Sequence, residues 1–132
     1  MQEPSIFTRV INGDLPSYKI YEDDYAVAFL DLHPAQPGHT LVVPKKQIDR
    51  LEDIPQVEYD ALMTIVKKVM RRIVTVFGPE YRACLKTEGF DIPHVHVHII
   101  PCKTAADFWA KQRMNTEPNH AALKAMAEKL RF

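Results

Sequence analysis

Three histidines alternate with apolar residues in His94-Val95-His96-Val97-His98, and the run continues through Ile99-Ile100 to Pro101. In an extended chain successive side chains point to opposite faces, so the three imidazoles share one face at intervals of about 6.6–6.8 Å. Val95, Val97 and Ile99 take the other face, where β-branched side chains suit a half-buried pleated surface. An imidazole can serve as nucleophile, as general acid or base, or as metal ligand. A metal site would want a cysteine or carboxylate nearby in sequence, or a second cluster, and none is evident. Phosphoryl chemistry wants a nucleophile on a rigid element, a neighbouring donor for the leaving group, and hydrogen bonds to the non-bridging oxygens. The histidine row supplies the first two.

The elements that must hold this row can be read in chain order. Ser5 can cap a short helix through Ile6, Phe7, Val10 and Ile11, stopped by Asn12-Gly13. Ile20-Tyr21 and Tyr25–Leu30 flank Glu22-Asp23-Asp24, which reads as the solvated turn of a hairpin. Asp31 ends the second strand at a proline-containing loop, His33-Pro34 to Pro37-Gly38, and His39 opens the strand Thr40–Val43. From Pro55 to Phe77 apolar residues recur at three- and four-residue intervals, predicting one long helix stopped by Gly78-Pro79. Its other face carries Glu58, Lys67, Lys68, Arg71 and Arg72 and reads as solvated. Arg82–Glu88 predicts a strand, 89–93 a connection, and His94–Pro101 the strand bearing the triad. Roughly Glu117–Arg131 predicts a C-terminal helix with Lys129 and Arg131 in its last turn, where the helix dipole favours cations. Three strands, a long helix and two further strands predict an α+β fold on an antiparallel sheet of about five strands.

Composition narrows the function classes. The chain has 132 residues, enough for one domain over 1–132 with a real core. Lys and Arg number 17 against 17 Asp and Glu, which leaves no basic footprint for nucleic acid and no polybasic membrane patch. No apolar run approaches a transmembrane helix, and Met1-Gln2-Glu3-Pro4 does not read as a signal peptide. Cys84 and Cys102 are too few for a disulfide framework, so a soluble, reducing, cytoplasmic setting is expected.

Two further blocks accompany the triad. One is I-F-x-x-V-I-N-G-D-L-P over residues 6–16. The other is Ile20–Asp24, Ala28–Asp31 and then Pro37-Gly38-His39-Thr40-Leu41-Val42-Val43-Pro44-Lys45. In these three ordered motifs, over most of residues 5–101, the sequence resembles the histidine-triad (HIT) family of nucleotide hydrolases and transferases. The resemblance implies a HIT-like fold and a two-fold homodimer sharing a continuous sheet through the long helix and Arg82–Glu88. It also implies an apolar nucleobase pocket to which Phe7, Ile11 and Phe29 contribute, Asp31 on the ribose, and His39 in a relay beneath the triad.

On this basis His96 attacks the α-phosphorus of a purine nucleoside phosphoramidate or related nucleotidyl substrate, forming a nucleotidyl-histidine. His96 then needs an unprotonated nitrogen, with its other nitrogen donating, as to a backbone carbonyl. His98 is placed to hydrogen-bond the phosphate and protonate the leaving group, and His94 and His39 orient the set. No cofactor or metal is required.

Two departures from the family stand out. Many bacterial members bind a structural zinc through a Cys-x-x-Cys, a later histidine and the first triad histidine; here the matching positions are Ser5, Thr8, Gln47 and His94, which predicts that the site is absent. The segment before the triad, Thr87–Pro93, lacks the family's Gly-Gln, leaving Thr87 and the backbone of 90–92 as phosphate donors. Two other classes remain open: a metal-dependent protein using the triad as ligands, and a nucleotide-binding regulatory module with little turnover. A dinucleoside polyphosphate hydrolase is a further alternative within the enzyme class.

Overall fold

The apolar alternation along residues 26–44 and 97–102 builds the centre of the sheet, as seen in a computed structural model that describes residues 2–132. Strands β1 (Lys19–Glu22), β2 (Ala26–Leu30), β3 (Thr40–Pro44), β4 (Arg82–Lys86) and β5 (Val97–Cys102) form one antiparallel sheet in the order β1-β2-β3-β5-β4. Every residue of β2, β3 and β5 is buried, because helices cover both of their faces.

Helix α2 (Gln56–Phe77) covers one face. Its buried Leu62, Ile65, Val66, Val69 and Ile73 recur every three or four residues and meet Ala28, Val42, Val97 and Ile99. Full burial of such side chains stabilises by roughly 1.5–3 kcal/mol each, which makes this the main core of the molecule. Helix α1 (Ile6–Ile11) lies on the opposite face, where Phe7 and Val10 pack on Val27, Phe29, Leu41 and Val43. Ser5 caps α1 by accepting from the Thr8 N–H at 3.0 Å. The alternation of β5 therefore puts Val97 and Ile99 on the α2 face and His98 on the α1 face.

The tight turn before β3 depends on Gly38, whose φ is +90°. A Cβ there would lie 2.9 Å from Phe77 Cζ and 3.0 Å from Pro101 Cγ. The backbone conformation and the close approach both require glycine.

Several expected boundaries move. The triad strand begins at Val97, not His94, and His94–His96 run alongside without ladder pairing. The cause is Pro44, which ends β3 and has no N–H to give to a partner at this level. The backbone instead finds other partners: Val95 N–H donates to Ile48 O at 2.8 Å and His94 N–H to Ile92 O at 2.8 Å. Likewise β4 stops at Lys86, two residues before the expected end. The C-terminal helix α4 (His120–Leu130) starts after Pro118, with Asn119 capping the Ala122 N–H at 3.1 Å. Helix α3 (Ala105–Trp109) was not anticipated, although Thr104 and Asp107 form the capping box that announces it.

Candidate active site

On the α1 face, the ends of β2, β3 and β5 meet α1 around a cavity of about 400 Å³. Apolar walls come from Ile6, Phe7, Val10, Phe29, Leu41 and Ile92, and the polar groups that reach it include Asp31, His96, His98 and Gln112. Of the expected site residues, Phe7, Phe29, Asp31, His96 and His98 line this cavity. Ile11 does not. It packs beside the Phe7–Phe29 cluster, one helical position beyond Val10, which lines the cavity with Ile6 in its place. His33, from the loop after β2, also lines it.

The protonation states follow from the partners of each ring. His96 Nδ1 lies 2.8 Å from the His94 carbonyl, which can only accept. In the neutral ring Nδ1 therefore carries the hydrogen and Nε2 keeps its lone pair. That Nε2 has no protein partner, and no buried side-chain nitrogen or oxygen among the described residues goes unpaired, so it opens to the cavity. His39 Nδ1 accepts the Ala35 N–H at 3.0 Å, which puts the hydrogen of neutral His39 on Nε2. Nε2 then donates to His98 Nδ1 at 2.9 Å, and His98 is left with its hydrogen on the cavity-facing Nε2. A free lone pair on His96 thus stands beside an N–H donor on His98, with ring centroids 5.1 Å apart.

Burial favours the neutral forms of His39, His98 and His94. It lowers the His39 pKa to about 3, helped by the repulsion His98 would exert. It lowers that of His98 to about 4, with His96 and Lys86 adding to the effect. Burial lowers that of His94 too, against the opposing pull of its bond to Pro44. Asp31, 9% exposed, moves the other way: burial raises its pKa, while the His33 N–H and the Gln112 amide hold the ionised form.

His94 sits beneath the cavity rather than in it. Its Nε2–H donates to Pro44 O at 2.8 Å, so its Nδ1 accepts, here from the Ser5 hydroxyl at 2.6 Å. Ser5 belongs to a closed polar cluster in which the Thr8 hydroxyl and the Ser5 N–H each reach Gln47 Oε1 at 2.8 Å. These are the four positions matched above to a family zinc site. Two hydroxyls, an amide and one imidazole do not make a tetrahedral N/S donor set for zinc. The cluster instead ties α1 to His94, whose carbonyl sets the His96 tautomer.

Asp31, His39 and His98 are the other group that could offer ligands, with one atom from each within 4.8 Å of the others. An ion there would have to displace the proton that His39 shares with His98.

Thr87 differs from expectation. Its hydroxyl donates to the His96 carbonyl at 3.0 Å, so its hydrogen is committed to the backbone and not to a phosphate. With β4 ended at Lys86, this side chain supplies the partner a ladder bond would have given. Glu88 and Asp91 from the same connection line the cavity.

A buried imidazole with its Nδ1 bonded to a carbonyl stands beside an N–H donor in a largely apolar cavity that also holds Asp31, Glu88 and Asp91. The chain belongs to the HIT domain family, whose pattern matches residues 12–105. It is 38% identical over 99 residues to an uncharacterized HIT-like protein of Methanocaldococcus jannaschii, covering 73% of this chain and 77% of the relative. It is 35% identical over 100 residues to the adenosine 5'-monophosphoramidase of Schizosaccharomyces pombe, covering 73% of this chain and 71% of that one. The crystal structure of a HIT-like protein from Bartonella henselae superposes with a TM-score of 0.77 at 30% identity, over 98% of this chain and 96% of that one. Among the described residues, no helix is long and apolar enough to cross a membrane.

Proposed function

We propose that this chain is a nucleotide hydrolase or transferase acting on purine nucleoside phosphoramidates, through a nucleotidyl-histidine on His96. The observation that carries the reading is the His96 Nδ1 bond to the His94 carbonyl, which frees the Nε2 lone pair at the cavity. Nε2 attacks the α-phosphorus, a P–N bond to His96 forms, and the substrate's own P–N bond breaks. The amine leaves with a proton drawn from solvent at the cavity mouth. Water then attacks the same phosphorus and returns a proton to solvent, and the P–N bond to His96 breaks, releasing the ring and the nucleoside monophosphate. Splitting the displacement in two is what a covalent intermediate contributes. His98 Nε2–H hydrogen-bonds the phosphoryl group. Burial holds its pKa down to about 4 in the free protein. The apolar walls take the base and Asp31 accepts from the ribose hydroxyls.

The charge of the lining favours short substrates. Asp31, Glu88 and Asp91 line the cavity and no Lys or Arg does, Lys86 acting on His98 from outside the lining. Each further phosphate of a dinucleoside polyphosphate would add negative charge against those carboxylates. The relation to a phosphoramidase supports the same leaving group.

A homodimer is part of the proposal. The outer edge of β1 is partly covered by the chain's own end, since Phe132 N–H donates to Ile20 O at 3.1 Å. The outer edge of β4 has no strand beside it and exposes Leu85, the kind of edge a second copy can extend. A monomer mass by light scattering at micromolar concentration would remove the dimer. A reducing, cytoplasmic setting suits Cys84 and Cys102, both free.

The test is the intact mass of the protein after brief exposure to adenosine and guanosine phosphoramidates. The wild type should show a nucleotidyl adduct. His96→Ala should show none and lose turnover by about four orders of magnitude or more, with nucleotide binding nearly intact. A second reading, a nucleotide-binding regulatory module, draws on the Thr87–Pro93 connection, where the one hydroxyl is committed and two carboxylates face the cavity. Binding of AMP with no adduct from any phosphoramidate would favour it.

A further inference from the structure

Beyond β5 and α3, residues 110–119 cross back over the cavity before α4 begins. This strap lies outside the 12–105 span of the family match. It is pinned to the loop that follows β2. His33 Nε2 donates to Thr116 O at 3.1 Å, Met114 lines the cavity wall, and just before the strap Gln36 Nε2 donates to Asp107 O of α3 at 3.1 Å. The central pin is Gln112, whose Nε2 donates 2.9 Å to Asp31 Oδ2 and 2.9 Å to His33 O.

That arrangement has one orientation. Both amide hydrogens of Gln112 are engaged, and a flipped amide would turn its oxygen on two acceptors, a carboxylate and a carbonyl. Asp31 is held equally firmly, because its other oxygen, Oδ1, accepts the His33 N–H at 2.8 Å. One carboxylate oxygen is thus bonded to the strap and one to the loop. Each oxygen retains a second acceptor position, so the pair can take two further hydrogen bonds from a vicinal diol. Without Gln112, one side of the carboxylate would be loose in a cavity that penalises its charge.

We infer that Gln112 is a positioning residue for sugar selection, and that the 110–119 strap turns Asp31 into a fixed two-oxygen acceptor for the ribose diol. The inference rests on the reading of this cavity as a nucleotide site with Asp31 at the sugar. Gln112 itself acts through Asp31 and takes no part in the attack on phosphorus. A substrate missing one hydroxyl leaves one position of a buried carboxylate unfilled, which lowers kcat/KM by about ten- to a hundredfold. Losing Gln112 removes the discrimination, because a mobile carboxylate finds a single hydroxyl as readily as two.

The experiment compares adenosine phosphoramidate with its 2'-deoxy and 3'-deoxy forms in wild type, Gln112→Ala and the same-sized Gln112→Glu. Wild type should prefer the ribonucleotide by about tenfold or more. Both variants should fall to within about threefold, through a raised KM for the ribonucleotide at nearly unchanged kcat. Melting temperatures check that the variants fold. A strap that serves only to hold the structure would lower all three substrates equally, and an unchanged ribo-to-deoxy ratio in the variants would overturn the inference while leaving the nucleotide reading in place. A wild type with no ribose preference would remove both the role of Asp31 and this inference. If wild type binds neither AMP nor its phosphoramidates, the functional reading itself falls.

Discussion

His39 Nε2 donates to His98 Nδ1 across 2.9 Å, and this bond decides which nitrogen of His98 faces the cavity. Burial of the same two rings gives the protein a distinctive pH dependence. Unfolded, each ring takes a proton near its ordinary 6.5; folded, burial holds His39 to about 3 and His98 to about 4. Between those values the unfolded chain binds more protons than the native one, so unfolding free energy falls as pH drops from 6.5 toward 4. Each tenfold loss of proton affinity corresponds to about 1.4 kcal/mol. Asp31, its pKa raised by burial, acts oppositely over the interval by which it is raised above 3.8. Denaturant midpoints should fall clearly between about pH 7.5 and pH 5.5, and the double variant His39→Asn/His98→Asn should show a flatter profile. An equally steep profile in that variant would mean that other groups carry the dependence.

The carbonyl of His96 accepts from the Thr87 side chain, which predicts the outcome of Thr87→Val. Removing one partly buried hydrogen bond should lower stability by about 1 kcal/mol. Turnover should fall by less than about tenfold, since His96 keeps its Nδ1 bond. A hydroxyl that instead donated to the phosphoryl oxygens would be worth roughly a hundred- to a thousandfold in rate. A kcat loss on that scale, with stability unchanged, would return Thr87 to the phosphate.

Much of this arrangement was legible in the sequence for identifiable reasons. The period-two alternation at residues 94–100 placed His96 and His98 on one face, because sheet geometry leaves no other choice once Val97 and Ile99 are buried. The three- and four-residue spacing over 56–77 specified α2 in the same way. What the pattern could not show depends on contacts distant in sequence. Gln112 meets Asp31 across 81 residues, and a glutamine in a polar connection carries no periodic signal. The start of β5 was misplaced because the residue that ends its pairing, Pro44, lies on another strand. Thr87 was read from its chemistry alone, and only the fold reveals that the His96 carbonyl reaches it first.

Gly38→Ala tests whether the turn before β3 positions His39. The added Cβ would sit in the left-handed region and press on Phe77 and Pro101, whereas at Gly13, φ +83°, nothing lies within 4 Å. Strain of this kind costs about 1–3 kcal/mol, and contact with the sheet residue Pro101 should add to it. Gly38→Ala should therefore melt well below Gly13→Ala and lose more turnover, because displacing residue 38 moves the ring that fixes His98. Equal melting temperatures would show that the Phe77 ring simply swings aside.

The cluster of Ser5, Thr8, Gln47 and His94 supports a last prediction, on metal content. Its hydroxyls and amide satisfy one another and His94 at 2.6–3.0 Å, which leaves no thiolate and only one imidazole for an ion. The purified protein should carry no stoichiometric zinc by elemental analysis, and its activity should survive a strong chelator. The triple variant Ser5→Cys, Thr8→Cys, Gln47→His supplies two thiolates and a second imidazole around His94, which together complete a tetrahedral site. It should bind about one zinc per chain and become sensitive to chelation in its melting temperature. Turnover should persist, because the His94 carbonyl still receives His96 Nδ1 whichever group holds the His94 ring. Close to one zinc in the wild type, lost together with activity, would move the histidines from phosphoryl transfer to metal ligation.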